Sequence, residues 1–134
     1  MSVTQGNGLG HPKRRLLVVD DEAKICRMLA EHFSIQGYEV MTARRGEDAM
    51  TIAYAFHPAV VLLDLLMPGM NGIDTLKQLK QLNPAPTVLM ISAADHEEVV
   101  KGALNLGADS YVHKPLKLLE LDLLVNDCCV KAGH

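Results

Sequence analysis

The sequence has no apolar run approaching the roughly 18 residues that a membrane span requires. Its first fifteen residues, MSVTQGNGLGHPKRR, are polar and Gly-rich and have none of the apolar core of a secretory signal. Cysteine is scarce: Cys26, Cys128 and Cys129 are odd in number and two are adjacent, a poor basis for a disulfide framework and one that favours a reducing cytoplasm. Excess positive charge is missing too. The formal net charge is -3, and the one dense basic cluster, Lys13-Arg14-Arg15, reads as a solvated tail at the edge of the fold, so no direct nucleic-acid partner is expected. Low-complexity tracts and a second domain are likewise missing. What remains is an ordinary composition, 49% apolar and 22% charged, in 134 residues. That length suits one domain burying about two-thirds of its unfolded surface. Residues 1–14 are expected as a flexible arm, 15–131 as the folded domain and 132–134 as a tail.

Within that domain, short continuous apolar runs alternate with longer amphipathic stretches, which implies βα units. Leu16-Leu17-Val18-Val19 is apolar on both faces, as a strand covered by helices on both sides must be. Glu22 to Gln36 places Ile25, Met28, Leu29 and Phe33 near one helical face, with Gly37 suited to end it. Tyr38 to Thr42 reads as a second strand, followed by a helix striped with Ala49, Ile52, Ala53 and Phe56. Ala59 to Leu63 is β-branched and apolar, a central strand ending at Asp64. Pro68, Gly69 and Gly72 make a loop, Ile73, Leu76 and Leu79 a helical stripe, and Asn83-Pro84 a stop. A fourth strand, Thr87 to Ile91, ends at Ser92. Asp95 and Glu98 have capping-box spacing before a helix closed by Gly107. Ser110 to His113 is a short fifth strand, and a last helix is expected from Leu116 to about Val130. The whole predicts an α/β fold, a doubly wound (βα)5 five-stranded parallel sheet of flavodoxin-like order 2-1-3-4-5.

In such a sheet every strand's carboxyl end lies on one edge, so Asp20, Asp21, Asp64, Ser92 and Lys114 converge although far apart in sequence. Successive strand residues point to opposite faces, so Asp21 must already lie in the loop for both acids to turn toward Asp64. Three crowded carboxylates resist ionisation unless a cation joins them, and an all-oxygen set without His or Cys suits Mg²⁺. Lys114 can pair with Asp64 at rest and with a phosphoryl oxygen afterwards, Ser92 offers a hydroxyl, and a carboxylate is a competent nucleophile that forms an acyl phosphate. Each residue alone has a bland explanation, such as a helix cap for the Asp pair or an exposed charge for Lys114. Their coincidence at four strand ends does not.

Four segments carry a family resemblance: LLVVDDE at 16–22, LLDLLMPGMNG at 62–72, VLMISA at 88–93 and GADSYVHKP at 107–115. Together they resemble the CheY-like receiver domains of two-component response regulators, from Leu16 to about Val130. The resemblance implies a phosphorelay switch in which Asp64 is the phospho-acceptor, with the phosphoryl group coming from a sensor histidine kinase or His-phosphotransfer protein. It implies that Asp21, Asp64 and the backbone carbonyl of Leu66 ligate Mg²⁺ while Asp20 helps through water. Lys114 would contact the phosphoryl group, Lys114-Pro115 would be a cis peptide, and Ser92 and Tyr111 would move together on activation. Such a protein catalyses only its own phosphorylation and dephosphorylation and is not a turnover enzyme. Departures are mild: Leu116 stands where many relatives carry an aromatic, and Ser92 in place of Thr removes a methyl that would tighten coupling to Tyr111.

Rival classes fit less well. A haloacid-dehalogenase-type phosphatase needs a second Asp two residues after the nucleophile, where Leu66 stands, and a Thr or Val at four, where Pro68 stands. A flavodoxin-like carrier needs a first loop that welcomes phosphate, which Asp20-Asp21-Glu22 would repel. GNGLG at 6–10 precedes the first strand and lacks the P-loop lysine. The alternative that survives is a receiver-like protein-binding module that works without phosphate. Finally, the last helix carries two apolar stripes, Leu116, Leu119, Leu123 and Val130, then Leu118, Leu121, Val125 and Cys128. A helix on a sheet needs one. The second is expected as a contact for a downstream protein, an output domain outside the chain or a homodimer, on the face of helix four, strand five and helix five.

Overall fold

The computed structural model describes residues 14–66, 71–93 and 97–131, for Val130 and Lys131 the backbone only. Within them β1 (Arg15–Val19), α1 (Ala23–Ile35), β2 (Glu39–Ala43), α2 (Gly46–Phe56), β3 (Val60–Asp64), α3 (Gly72–Lys80), β4 (Thr87–Ser92), α4 (Glu97–Asn105), β5 (Ser110–His113) and α5 (Leu118–Lys131) alternate along the chain. The strands form one sheet in the order β2-β1-β3-β4-β5, parallel at every pairing. The fold predicted from strand-helix alternation is the fold observed. Lys13, Pro68, Gly69 and Asp95, with the cap and loop roles expected of the last three, lie outside the described residues.

Strand residues alternate between two apolar layers, which is why β1 is apolar from Leu16 to Val19 and β3 from Val60 to Leu63. Leu17, Val19, Val61 and Leu63 pack with Ala49, Met50 and Ala53 of α2, Leu76 and Leu79 of α3 and Ala103 of α4. Leu16, Val18, Val60 and Leu62 face the other way, against Cys26, Leu29 and Phe33 of α1 and Leu121, Val125, Cys128 and Cys129 of α5. Fully burying each such Leu stabilises by about 1.5–3 kcal/mol. Gly37, at φ +98, closes α1 with its own N–H on the Ser34 carbonyl and that of Tyr38 on Phe33. His32 of α1 hydrogen-bonds to Asp122 of α5, and Gln36 Nε2 joins them at 3.1 Å.

Three expectations change at the ends of elements. α5 begins at Leu118, not Leu116, with the Lys117 carbonyl accepting from Leu121 N–H. Leu116 instead packs, partly buried, into the Leu121 layer, at the spacing of a residue that staples a helix start. Of the two α5 stripes, Leu121, Val125 and Cys128 meet the sheet, whereas Leu119 and Leu123 are 75% and 67% exposed. The spare stripe is therefore the Leu119 one. Of the basic cluster, Arg14 and Arg15 are no free tail either. Arg15 opens β1, lies over Phe56 at 5.5 Å and donates to the Phe56 carbonyl at 2.8 Å, while Arg14 donates to Asn126 at 3.2 Å.

Gly72 opens α3 pressed against the end of β3, donating to the Leu65 carbonyl at 3.0 Å. A Cβ there would lie 2.5 Å from both the Asp64 carbonyl oxygen and Leu65 Cα, and neither backbone atom can give way cheaply. Gly72→Ala is therefore expected to cost about 1–3 kcal/mol of overpacking, read as a lower urea midpoint. In an unobstructed helix the same change would gain up to about 1 kcal/mol, so the sign of the shift decides the matter.

Candidate functional site

Register brings the polar strand ends together. Val19 pairs with Leu63, which sets Asp20 beside Asp64 one residue further on. Asp64 pairs with Ile91, and Ser92 with His113, so Lys114 comes next to the same edge. The Lys114 N–H is anchored on the Ser92 carbonyl at 2.9 Å. Asp21 lies past the end of β1, in the loop.

One carboxylate oxygen from each of Asp20, Asp21 and Asp64 lies within 4.8 Å of the others. Lys114 Nζ reaches Asp20 Oδ2 at 3.1 Å, Asp64 Oδ2 at 3.4 Å and Glu22 Oε1 at 3.5 Å. The remaining oxygens of the two buried acids take backbone donors: Glu22 N–H on Asp20 Oδ1 at 2.9 Å and Leu66 N–H on Asp64 Oδ1 at 3.2 Å. Three carboxylates thus share one ammonium, and Asp21 adds a fourth to the same edge. Ser92 is fully buried at the same edge. Tyr111 is not in this cluster; it pairs with Met90 two residues before the end of β5, and its ring lies 5.1 Å from that of His113. The Lys114–Pro115 peptide is cis, as is Asn83–Pro84.

Burial pushes the Asp64 carboxyl above the usual carboxylate range, and the neighbouring Asp20 charge adds to it; the Leu66 amide and Lys114 offset this only in part. Lys114 stands nearer Asp20 than Asp64, which explains the incomplete relief. For Lys114 itself burial works to lower the pKa, but the Asp20 and Asp64 carboxylates outweigh it and the ammonium is held more firmly than usual. A hard divalent cation fits this donor set: carboxylate oxygens in excess, a buried acid that resists ionisation alone and, among the described residues, no His or Cys in the cluster. The Cys26 thiol beneath the loop is kept protonated by burial and by Asp20, and donates to the Asp20 carbonyl at 3.2 Å instead.

Residues 16–126 match the response regulator receiver domain family. The chain belongs to that family. It is 41% identical over 110 residues to the probable transcriptional regulator ycf27 of Cyanophora paradoxa, covering 82% of this chain and 46% of that protein. To the DNA-binding response regulator MtrA of Mycobacterium leprae it is 39% identical over 109 residues, 81% of this chain and 48% of that one. The chain thus spans about half the length of the curated relatives it matches. The crystal structure of a CheY-like response regulator receiver domain protein from Methanospirillum hungatei JF-1 superposes with a TM-score of 0.87 over 91% of this chain and 98% of that one, at 24% identity. The fold is accordingly the CheY-like, flavodoxin-like receiver architecture, and the domain is one of two-component signalling. No helix among the described residues is long and apolar enough to cross a membrane.

From the sequence Arg44 draws no notice, and Glu22, Cys26 and Gly72 are read for helix start and loop charge, redox compartment and loop, with no contact at this receiver site expected of them. Glu22 could have been found from position alone, since it directly follows Asp20 and Asp21 on the edge where the acids gather; Arg44 also follows a strand there, but only its contact with the Asp21 carbonyl shows its role. Cys26 and Gly72 act through contacts that only packing reveals.

The raised Asp64 pKa has a consequence for stability. The folded state holds the Asp64 proton to a higher pH than the unfolded chain does. Unfolding free energy therefore falls as pH rises from the ordinary carboxylate range through the raised Asp64 value, and then levels. Asp64→Asn removes that loss. In metal-free buffer the variant is expected to be more stable than the parent at neutral pH by about 1 kcal/mol, the gap closing as pH falls through the Asp64 titration; thermal melts across pH read it directly.

Proposed function

We propose that the domain is a Mg²⁺-dependent phospho-acceptor in which Asp64 takes a phosphoryl group from a histidine kinase or a His-phosphotransfer protein. The observation that carries this reading is the buried Asp64 carboxylate sharing Lys114 with Asp20 while Asp21 faces the same spot. Asp21, Asp64 and the Leu66 carbonyl would hold the ion, with Asp20 assisting through water. Bound there, the cation would neutralise the carboxylates and the phosphoryl oxygens.

The chain's own part is alignment and charge. An Asp64 oxygen attacks phosphorus, the new O–P bond forming as the N–P bond of a phosphohistidine breaks and the imidazole leaves. Lys114, already an ammonium, turns from the carboxylates to a phosphoryl oxygen, and the Ser92 hydroxyl at the next strand end supplies a further donor. Movement of Ser92 would be followed by Tyr111, switching the face built by α4, β5 and α5. On that face Leu119 and Leu123 stay exposed, which supports a protein contact there, either an output partner or a second copy of the domain. The protein is regulatory and turns over only its own acyl phosphate, in a cytoplasmic setting.

Intact mass after incubation with Mg²⁺ and a small phosphodonor is expected to show one phosphoryl adduct, absent in Asp64→Ala. An adduct in neither protein, or in both, would point to the phosphate-independent module instead. For the docking face, sedimentation at high concentration is expected to show self-association with beryllofluoride that Leu119→Ser/Leu123→Ser abolishes; a monomer with and without the activator excludes the homodimer.

A further inference from the structure

The peptide unit that joins Asp21 to Glu22 is gripped at both ends. Its N–H, on Glu22, donates to Asp20 Oδ1 at 2.9 Å. Its carbonyl, on Asp21, accepts from Arg44 Nε at 3.2 Å and from Arg44 Nη2 at 3.1 Å. An amide whose oxygen is held by a guanidinium is polarised and donates more strongly through its nitrogen. Asp20 passes the restraint on, because its other oxygen holds Lys114, which also faces Asp64. A continuous polar chain therefore runs from the residue after β2, through Asp20, to the residue after β5. The loop's other carbonyl, that of Asp20, is fixed from below by Cys26, and the Asp20 N–H donates to the Ala43 carbonyl at 3.0 Å. Arg44 is thus the outer closure of a loop otherwise tied down from inside.

We propose that Arg44 is a positioning residue for the divalent-cation site, fixing the Asp21–Glu22 peptide so that the Asp20 and Asp21 carboxylates are presented together and Mg²⁺ binds more tightly. The inference rests on Asp20, Asp21 and Asp64 being the cation's acidic partners. Two effects of Arg44 oppose each other. Its positive charge repels a cation, whereas its hydrogen bonds reduce the freedom of the ligands. The guanidinium is exposed, so water and salt screen the repulsion. The hydrogen bonds act locally and are not screened in the same way. Both nitrogens are also aimed at a backbone carbonyl, as a geometric brace requires; a residue serving only by charge would gain more from a carboxylate.

Calorimetric Mg²⁺ titration of the full chain, at one pH and ionic strength, separates the two effects. Arg44→Ala is expected to weaken Mg²⁺ binding about three- to fivefold, the size expected for an exposed, solvent-screened guanidinium–carbonyl contact. Arg44→Gln and Arg44→Lys, which each keep a donor, should recover part of it. In the metal-free protein the Glu22 amide resonance should shift in Arg44→Ala while the melting temperature stays close to that of the parent. An unchanged Mg²⁺ affinity in Arg44→Ala overturns the proposal. So does tighter binding in both Arg44→Ala and Arg44→Gln with Arg44→Lys unaltered, the pattern of charge repulsion alone. A parent protein that takes up no Mg²⁺ overturns the reading of the acids themselves, and this inference with it.

Discussion

Lys114 Nζ, 3.1 Å from Asp20 and 3.4 Å from Asp64, is the contact on which the rest of the site depends. Three strand ends that share no sequence neighbourhood are tied by one ammonium, and without it two buried carboxylates would face each other across a space too dry to screen them. Removing one partner of such a group leaves an uncompensated buried charge, which costs far more than the pair contributes. The tie is nevertheless incomplete, since Asp64 still resists ionisation. On the proposed reading that residual repulsion makes the edge receptive, because a cation that relieves it would meet ligands already arranged.

The sheet supports this arrangement by making the strand ends rigid. β1, β3 and β4 are buried on both faces, so the positions of Asp20, Asp64 and Ser92 are set by two apolar layers at once. Gly72 adds a close backbone approach directly behind Asp64. The polar edge therefore inherits its geometry from packing, while the loops that cover it contribute orientation through a few hydrogen bonds, one from Leu66 and two from Arg44. A destabilised, acid-crowded edge on a well-packed core is the usual division between function and stability.

How much of this was legible in the sequence follows from range. Strand and helix order, the parallel sheet and the meeting of Asp20, Asp21, Asp64 and Lys114 at one edge depend on apolar periodicity and on topology, which are written locally or follow from a general rule. Residues whose roles depend on one particular contact were not legible. Arg44 reads as one of two exposed arginines before α2 until its guanidinium is seen on the Asp21 carbonyl. Gly72 reads as a loop glycine until the backbone of β3 is found behind it. The two stripes of α5 were visible, but which one is spare depends on the rotation of the helix on the sheet. Leu116 lies outside the helix and cannot extend the Leu119 stripe at all.

That rotation bears on how a change at Asp64 could leave the site. α5 is fixed to the sheet by Leu121 and Val125, both fully buried, and to α1 through Asp122 and His32. It is therefore a poor candidate for large movement. β5 is four residues long, at the sheet edge, with Val112 buried, Tyr111 partly buried against the layer of α2, α3 and α4, and His113 exposed. Lys114 is joined directly to it. A shift of the Lys114 ammonium from carboxylates to a phosphoryl oxygen would thus be felt first in the shortest strand of the fold, at the sheet edge and next to the exposed Leu119 and Leu123 helix. On the proposed reading, the signal need not cross the core; it passes along the edge, from the lysine to the aromatic pair on β5, where a partner could read it.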